Sequence, residues 1–302
     1  MCLYITGIDM HISVVVPFYN EESYIEECIQ ALLSQDYPEE NHEILLVDNN
    51  SSDRSAEIVR RYPRIKLLSE STPGDFAARN RGLAAAKGEI IAFTDSNCAP
   101  SKDWLRSIAA AMLASNAGIV LGSLQFALDS PALSMMEAYE SEKADYILSS
   151  NNKEIYVAYT SNLAIRKALF DSLGHFSPVY RNSDIVFVRR AVDEYSCNVI
   201  RYFPEICVRH LEISDIWTYY RKIQIYGRDY HRYGKIASVR PLGPTERLGI
   251  FRKTIQSQRY SLAKSILLLF LLSLGGICYE LSRLRATFGS SAPLGSLQPS
   301  NR

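Results

Sequence analysis

Motifs that identify several common protein classes are missing from this 302-residue sequence. No G-x-G-x-x-G follows a predicted strand and no G-x-x-x-x-G-K-S/T occurs, which disfavours a dinucleotide-dependent dehydrogenase and a P-loop NTPase. The six cysteines include no C-x-x-C pair, so buried thiols in a reducing compartment are favoured over a disulfide framework or a zinc site. The stretch before Ile12 has no basic start and no long apolar core, so it does not predict a signal peptide.

The sequence also lacks a net charge, because 33 Lys and Arg residues balance 33 Asp and Glu residues. The overall charge therefore gives no reason to expect nucleic acid as a partner. The charge is uneven along the chain, since residues 235–285 contain nine basic residues and two acidic ones, Glu246 and Glu280. The length suits one large α/β domain, or a domain of about 220–240 residues with an appendage.

Short apolar runs alternate with helical patterns in the N-terminal third of the chain. Strands are predicted at "ISVVVP", "EILLVD", "RIKLLSE" and "EIIAFTD", with a helical pattern after each. Runs of this kind are typical of parallel strands that helices cover on both faces. We therefore expect an α/β fold with a mostly parallel sheet and helices on both faces.

The second half of the chain has a less regular pattern. Strands are expected at "AGIVLGSLQF" and "YVAYTSNLAI", followed by two separate short strands at "NVIRYF" and "ICVRH". Helices are expected at "SPALSMMEAYESEKADYIL", "RKALFDSLG" and "SDIVFVRRAVDEY", and across residues 214–234. Trp104 is expected on the core face of a helix, with stacking on a bound ligand as the alternative.

Polar side chains follow three of the N-terminal strands at the point where each strand ends. In an open parallel sheet, ligands bind outside the carboxyl ends of the strands. Three polar endings at one edge therefore predict a pocket rather than three separate turns. The endings are Tyr19, Asn20 and Glu21 after Pro17; Asp48, Asn49 and Asn50; and Asp95, Ser96 and Asn97.

The ending at Asp95 has the chemistry of a divalent-cation site. A cation that neutralises a diphosphate can take most of its ligands from phosphate and water, and only one or two from protein. Asp95 would supply charge, Asn97 a neutral carbonyl oxygen, and His210 a third ligand. An imidazole ligand would favour Mn²⁺ over Mg²⁺ somewhat. The alternative is that His210 is a strand-end histidine with a local hydrogen bond.

The order of these blocks resembles the family 2 glycosyltransferases, which are inverting, nucleotide-sugar-dependent enzymes of the GT-A fold. The resemblance covers residues 12–210, about two-thirds of the chain. The blocks that carry it are "VVVPFYNEESYIEECIQALLSQDYP", "EILLVDNNSSDRSAEIV", "FAARNRGLAAAKGEIIAFTDSNCAPSKDWL", "TSNLAIRKALFDSLGHF" and "SDIVFVRRA".

The resemblance implies roles for the residues of the pocket. Asp48 would contact the nucleotide base, Asp95 the ribose and the metal, and Asp184 would be the general base that deprotonates an acceptor hydroxyl. The implied nucleotide-sugar site is Pro17, Tyr19, Asn20, Glu21, Asp48, Asn50, Arg79, Asp95, Ser96 and Arg190, and the implied Mn²⁺ or Mg²⁺ site is Asp95, Asn97 and His210. Arg190 is equally well interpreted as a plain surface arginine.

Two positions depart from the family's pattern. Asn97 replaces the second aspartate of the metal motif, which should weaken metal binding when no nucleotide is present. Ser183 replaces the glutamate before the base, a change that favours the ionised form of Asp184. These departures leave open a lapsed enzyme that binds a nucleotide-sugar without turnover. A nucleotidyltransferase is disfavoured, because "FYNEES" stands where a glycine- and basic-rich loop is usual.

An uncharged apolar run, "SILLLFLLSLGGICY", occupies residues 265–279. Its fifteen residues fall short of the ~20 that span hydrocarbon comfortably as a helix. A short or tilted span, an interfacial or re-entrant helix and a buried core helix are the alternatives. Basic residues on both sides suit anionic headgroups, so we expect this run to anchor the protein at the cytoplasmic face of a membrane.

The expected partners follow from the resemblance and from this anchor. They are a UDP-, GDP- or dTDP-sugar donor, a lipid-linked or envelope-glycan acceptor, and a membrane surface, with no nucleic acid. Tyrosines and basic residues alternate across 214–234, which favours a role at the membrane surface or on a lipid phosphate, with ordinary amphipathic packing as the alternative.

The expected organisation has four parts. Residues 1–11 form an N-terminal extension, and residues 12–235 the GT-A domain, with a nucleotide-binding half at 12–100 and an acceptor half at 101–235. Residues 236–288 form membrane-associating helices. Residues 289–302 form a tail whose composition predicts disorder.

Overall fold

A computed structural model describes residues 10–126, 130–156, 158–178, 182–236 and 238–289. Most of the predicted extension and tail lies outside these ranges. Eight strands in the described ranges form one sheet: β1 (Ile12–Phe18), β2 (His42–Asp48), β3 (Ile65–Ser69), β4 (Ile90–Phe93), β5 (Cys98–Pro100), β6 (Ile119–Gln125), β7 (Leu163–Arg166) and β8 (Ile200–His210). The helices are α1 (Ile25–Leu33), α2 (Ser55–Arg60), α3 (Asp75–Ala85), α4 (Trp104–Ser115), α5 (Pro131–Ser149), α6 (Lys167–Leu173), α7 (Ser183–Tyr195), α8 (Ile216–Ile236), α9 (Pro244–Ser257) and α10 (Leu262–Gly289).

The strand order in the sheet is β3-β2-β1-β4-β7-β6-β8-β5. Strands β3, β2, β1 and β4 pair in parallel, as the N-terminal alternation predicts. Strand β7 is antiparallel to both β4 and β6, β8 is parallel to β6, and the short β5 is antiparallel to β8. The α/β fold with a mostly parallel sheet is confirmed.

Helices cover both faces of the sheet, and the alternation of side chains along β1 shows how. Val14 and Val16 point into the core that contains α1 and α4, while Val15 points into the opposite core with α3 and α7. Trp104 is fully buried in the first core, where its indole Nε1 donates to Asn162 Oδ1 at 2.9 Å. The prediction that Trp104 is a core residue is therefore confirmed.

Two strand predictions in the second half need correction. The segments "NVIRYF" and "ICVRH" form one strand, β8, whose pairing with β6 shifts register between Gly122 and Ser123. A side chain at Gly122 would lie 2.2 Å from the carbonyl oxygen of Ile206, so this close approach needs glycine. In the described part of "YVAYTSNLAI", which leaves out residue 157, the strand is β7, and a short 3₁₀ turn at Thr160–Asn162 precedes it.

The C-terminal helices pack on one another and on α5. Gly227 of α8 lies against the backbone of α10, where a Cβ atom would be 2.4 Å from the carbonyl oxygen of Tyr279. The α10 helix has 28 residues, a length of about 42 Å, so the apolar helix is longer than the run predicted at 265–279.

The α10 helix is long and apolar enough to cross a membrane, by length and composition alone, over Leu262–Ala286. Only 17% of its most apolar stretch is buried, which disfavours the core-helix alternative. The exposed large apolar side chains of α10 are Leu262, Ile266, Leu267, Leu269, Phe270, Ile277, Leu281 and Leu284.

Candidate active site

The loops after β1 and β2 are fastened together by Asn20. Its Oδ1 accepts hydrogen bonds from the backbone N–H groups of Ser52 at 2.8 Å and Asp53 at 3.3 Å. Its own N–H donates to Ser51 Oγ at 3.1 Å, and its φ of 54° lies in the left-handed region that asparagine tolerates. The predicted donor-binding residue Asn20 therefore shapes the loop, with its side-chain oxygen already engaged.

Of the three polar residues at the end of β2, Asp48 has a carboxylate oxygen without a hydrogen bond in the described residues, and Asn49 and Asn50 hold the neighbouring loop by hydrogen bonds. Asp48 Oδ1 accepts from the Ser51 N–H at 2.9 Å. Asn49, which the sequence reasoning left without a role, accepts from the Gly74 N–H at 2.7 Å and donates to two carbonyl groups of the loop before α3. Asn50 donates to the carbonyl groups of Glu70 and Ser71 in that loop. The doubled asparagine after a strand was the signal that could have indicated this role.

Pro17 and Tyr19 lie at the end of β1. Pro17 is buried and pairs with Val47 of β2, so it shapes the floor of this edge. Tyr19 is 37% exposed, which leaves its ring available to a ligand. Ser96, in the loop after β4, is buried.

A buried ion pair joins α3 to the end of β4. Arg79 Nη2 lies 2.5 Å from Asp95 Oδ1, and Arg79 is only 4% exposed, with its guanidinium carbon 5.0 Å from the ring centroid of Phe76. The side chain of Asp95 remains about one-third exposed. Arg79 therefore holds one oxygen of Asp95, and the rest of this carboxylate faces accessible space.

Asp184 lies in the first turn of α7 and is 5% exposed. Its Oδ1 accepts from the Ile185 N–H at 2.9 Å, and its Oδ2 accepts from the Thr160 N–H at 3.1 Å. Burial raises the pKa of Asp184 to about 6. The negative charge of Asp95 adds to this increase, whereas the positive charge of Arg79 and the two backbone hydrogen bonds oppose it. The structure thus places a buried carboxyl group within electrostatic range of the Arg79–Asp95 pair.

Ser183, at the position before Asp184, has a structural contact. Its hydroxyl oxygen accepts from the Ser177 N–H at 2.7 Å and is fully buried. The serine therefore secures the segment before α7.

Asn97 directly precedes β5, and His210 ends β8, the strand with which β5 pairs. Cys98 of β5 is opposite His210 of β8 in the strand register. The backbone N–H of Leu211 donates to the backbone carbonyl oxygen of Asn97 at 2.8 Å. Both side chains are buried, and His210 Nδ1 has no hydrogen-bond partner in the described part of the chain. Burial, with the charge of Lys222, lowers the pKa of His210 to about 3, so the imidazole is neutral. His210 Nδ1 therefore does not make the local hydrogen bond that was the alternative prediction for this residue.

The donor set of Asp95, Asn97 and His210 suits a divalent cation only with help from a bound molecule. A carboxylate, an amide oxygen and a neutral imidazole with an unpartnered nitrogen are chemically suitable ligands. No group of three His, Cys, Asp or Glu side chains that could hold a metal occurs in the described ranges. The donor types of these three residues therefore suit a cation that takes its remaining ligands from a diphosphate.

Sequence reasoning missed an ion pair beside this donor set. Glu212 Oε2 lies 2.6 Å from Lys222 Nζ and accepts from Asn97 Nδ2 at 3.0 Å. Burial raises the pKa of Glu21 to about 7, with the charge of Glu212 adding to the increase and that of Lys222 opposing it. The position of Glu212 two residues after His210 was the one available signal, since Lys222 lay in a helix interpreted as a surface feature.

Arg190 is the predicted donor-binding residue that the geometry does not support. Its guanidinium donates to the carbonyl oxygens of Leu173 at 2.8 Å and His175 at 3.0 Å, at the end of α6. The residue is exposed, and these bonds secure a helix end. The alternative of a surface arginine is favoured, so we leave Arg190 out of the proposed site.

Solved structures match this architecture at low sequence identity. A mannosyltransferase from Pyrobaculum calidifontis, PcManGT, in complex with GDP-Man and Mn²⁺, has a TM-score of 0.66 and 18% identity, over 93% of this chain and 88% of that one. Residues 1–349 of TarS from S. aureus, in complex with UDP-GlcNAc, give a TM-score of 0.53 and 18% identity, over 93% and 92% of the two chains. Both support the fold.

Sequence comparisons identify the family. Glycosyltransferase AglE of Haloferax volcanii is 32% identical over 219 residues, which are 67% of this chain and 71% of that protein. A dolichyl N-acetyl-alpha-D-glucosaminyl phosphate 3-beta-D-2,3-diacetamido-2,3-dideoxy-beta-D-glucuronosyltransferase of Methanococcus voltae is 30% identical over 102 residues, 32% of each chain. The family model described as Glycosyl transferase family 2 matches residues 13–174. With more than half of its residues matched, the chain belongs to glycosyltransferase family 2.

Proposed function

We propose that the protein transfers a sugar from a nucleotide-sugar to an acceptor hydroxyl, with inversion and with Asp184 as the general base. The observation that carries this proposal is the buried Asp184 carboxyl group, whose raised pKa of about 6 reflects its burial beside the Arg79–Asp95 pair. A base with a pKa near the working pH can accept a proton in the transition state and release it afterwards.

The donor half of the proposal rests on the ends of β1, β2 and β4. Asp48 Oδ1 accepts a hydrogen bond from the Ser51 N–H, and we assign the other oxygen, Oδ2, to contact with the nucleotide base. Tyr19 is exposed enough to contact the nucleotide. Arg79 is buried and paired, which supports a role in holding Asp95 rather than direct contact with the diphosphate.

Asp95, Asn97 and His210 would hold a divalent cation, with Mn²⁺ favoured over Mg²⁺ by the imidazole. A cation bound there would stabilise the negative charge of the leaving diphosphate. The unpartnered Nδ1 of His210 supports this assignment, as does the Mn²⁺ in the complex of PcManGT.

The proposed transfer is a single displacement. Asp184 accepts the proton of the acceptor hydroxyl while that oxygen forms a bond to the anomeric carbon, through an oxocarbenium-like transition state. The bond from the anomeric carbon to the phosphate oxygen breaks, and the nucleoside diphosphate leaves with the electron pair. Attack from the face opposite the leaving group inverts the anomeric centre.

The donor assignment is tested by thermal shift with UDP-, GDP- and dTDP-sugars in the presence of Mn²⁺. One nucleotide class is expected to raise the melting temperature, because a ligand that binds only the folded state stabilises it. The same sugar should then be hydrolysed slowly or transferred. Binding without hydrolysis or transfer across the panel would contradict the proposed enzymatic function.

The pH profile tests the base. We expect kcat/KM to increase with pH through a midpoint near 6, because burial raises the pKa of Asp184 to about that value and only the ionised form accepts a proton. Glu21 also has a raised pKa, about 7, so the Glu21→Gln variant is the control and should keep the midpoint near 6. A profile without this acid limb would contradict the assignment.

We further propose that α10 attaches the protein to the cytoplasmic face of a membrane, where the acceptor is lipid-linked or an envelope glycan. The exposed apolar face of α10 supports attachment, and the free thiols of the five cysteines in the described ranges suit a reducing compartment. The name of the Methanococcus relative refers to a dolichyl phosphate sugar, which supports a lipid-linked acceptor.

Membrane fractionation tests this attachment. The protein is expected to stay with membranes through alkaline carbonate extraction, and the Leu269→Asp/Phe270→Asp variant to lose most of that retention, because both side chains are exposed apolar residues of α10. Leu113→Asp, at an exposed position on α4, is the matched control and should be retained. Release of the unaltered protein into the soluble fraction would refute the anchor.

A further inference from the structure

The side-chain amide of Asn97 is oriented by a neighbouring carboxylate. Its Nδ2 lies 3.0 Å from Glu212 Oε2, and an ionised carboxylate only accepts hydrogen bonds, so the amino group must face Glu212. The carbonyl oxygen Oδ1 then faces the other way, where its contact is the weak donor Cys98 Sγ at 3.7 Å. The two ends of this amide are therefore distinguished by Glu212.

Glu212 is itself held in place by α8. The same Oε2 atom lies 2.6 Å from Lys222 Nζ. The ammonium group compensates the charge of Glu212, which favours an orienting role for this carboxylate over direct competition for a cation. Asn97 is buried, so its amide has little water to turn towards.

We propose that Glu212 is a positioning residue that fixes Asn97 with its oxygen available to the cation. This inference rests on the metal role proposed above for Asn97. An amide coordinates a cation only through its oxygen, and the opposite orientation would present two N–H groups. An aspartate at this position needs no such control, because both of its oxygens coordinate. The contact explains how an amide can serve at this position.

The test exchanges the hydrogen-bond donor and acceptor between positions 97 and 212. In Asn97→Asp the new carboxylate faces Glu212, and in Glu212→Gln the amide of Asn97 loses its fixed acceptor. In the double variant the amide at position 212 can donate to the carboxylate at position 97, so the hydrogen bond returns with opposite direction. The affinity of all four proteins for Mn²⁺ is measured by electron paramagnetic resonance, first with the metal alone and then with saturating UDP, GDP or dTDP.

The expected result is a non-additive cycle. The fold-changes in Kd of the two single variants are multiplied and compared with the fold-change of the double variant. The two values should differ by a factor of about five or more, as for residues within one hydrogen-bond network. The double variant should bind Mn²⁺ more tightly than additivity predicts. Glu27→Gln is the matched control, because it removes a carboxylate that pairs at the surface with Arg209, beside His210. Its Kd for Mn²⁺ should equal that of the unaltered protein.

Two outcomes distinguish this inference from the function on which it rests. A coupling factor within about twofold of unity, with Mn²⁺ bound normally by the unaltered protein, would overturn the role of Glu212 and leave the proposed cation site intact. Failure of the unaltered protein to bind Mn²⁺ in the presence of each of UDP, GDP and dTDP would contradict the cation site itself. Melting temperatures by circular dichroism show whether each variant is folded, and the isosteric Glu212→Gln change retains the side-chain volume.

Discussion

Replacing Asp184 with asparagine is expected to reduce turnover by about 10²–10⁴-fold, the usual contribution of a positioned general base. Nucleotide affinity should change little, because Asp184 is assigned to the acceptor side of the reacting carbon. The change removes the proton acceptor while retaining the shape of the side chain in its buried position. Turnover is measured with saturating donor, and affinity by titration with the nucleotide.

Asp193→Asn is the matched control for this prediction. Asp193 lies on the same helix, α7, but its carboxylate is exposed and pairs with Lys153 at 2.5 Å and Arg189 at 2.8 Å. Exposed pairs of this kind contribute about 0–1 kcal/mol to stability, so activity should be preserved. Near-normal turnover in Asp184→Asn would show that another group is the base.

Replacing Asp95 with asparagine should have the second large effect, a loss of about 10²–10⁴-fold in donor-dependent activity if the cation supplies several kcal/mol. The change removes the only carboxylate among the three proposed ligands. It also leaves the buried Arg79 guanidinium without the carboxylate that lies 2.5 Å away, so the melting temperature should fall as well. Activity is measured as a function of Mn²⁺ concentration, which separates loss of metal from loss of folding.

The control for Asp95 is an aspartate in a similar pair at the surface. Asp36 lies 2.5 Å from Arg106 and both side chains are about half exposed, so Asp36→Asn should leave the melting temperature and the Mn²⁺ dependence nearly unchanged. If Asp95→Asn retained both activity and Mn²⁺ dependence, the cation would have to bind elsewhere.

The parallel half of the sheet could be predicted from sequence because its pattern is local. Each buried strand is a continuous apolar run, and each crossover helix follows directly along the chain. The second half could not be predicted as well, because long-range pairing decides it. Strand β8 continues through Pro204 with an irregularity: Gly122 of β6 pairs with Phe203 and Ser123 with Cys207, so residues 204–206 of β8 are extra residues in this pairing.

The candidate site shows the same division between local and distant contacts. The polar strand endings indicated Asp48 and Asp95 directly, since their position at one sheet edge follows from the strand pattern. The engagement of Asn20 by the loop after β2 could not be predicted, because that loop lies some 30 positions along the chain. The contacts that join Glu212 to Asn97 and Lys222 depend on how β5, β8 and α8 pack.

The central claim is that the ends of β1, β2 and β4 hold one donor, with Asp184 facing its anomeric carbon. The most direct measurement is a crystal structure with Mn²⁺ and the nucleotide-sugar chosen by thermal shift, in which anomalous scattering locates the metal. We expect a Mn²⁺ peak against Asp95 and His210, the nucleotide base beside Asp48, and the sugar between the metal and Asp184. A metal peak away from Asp95, or a sugar whose anomeric carbon is turned away from Asp184, would contradict it.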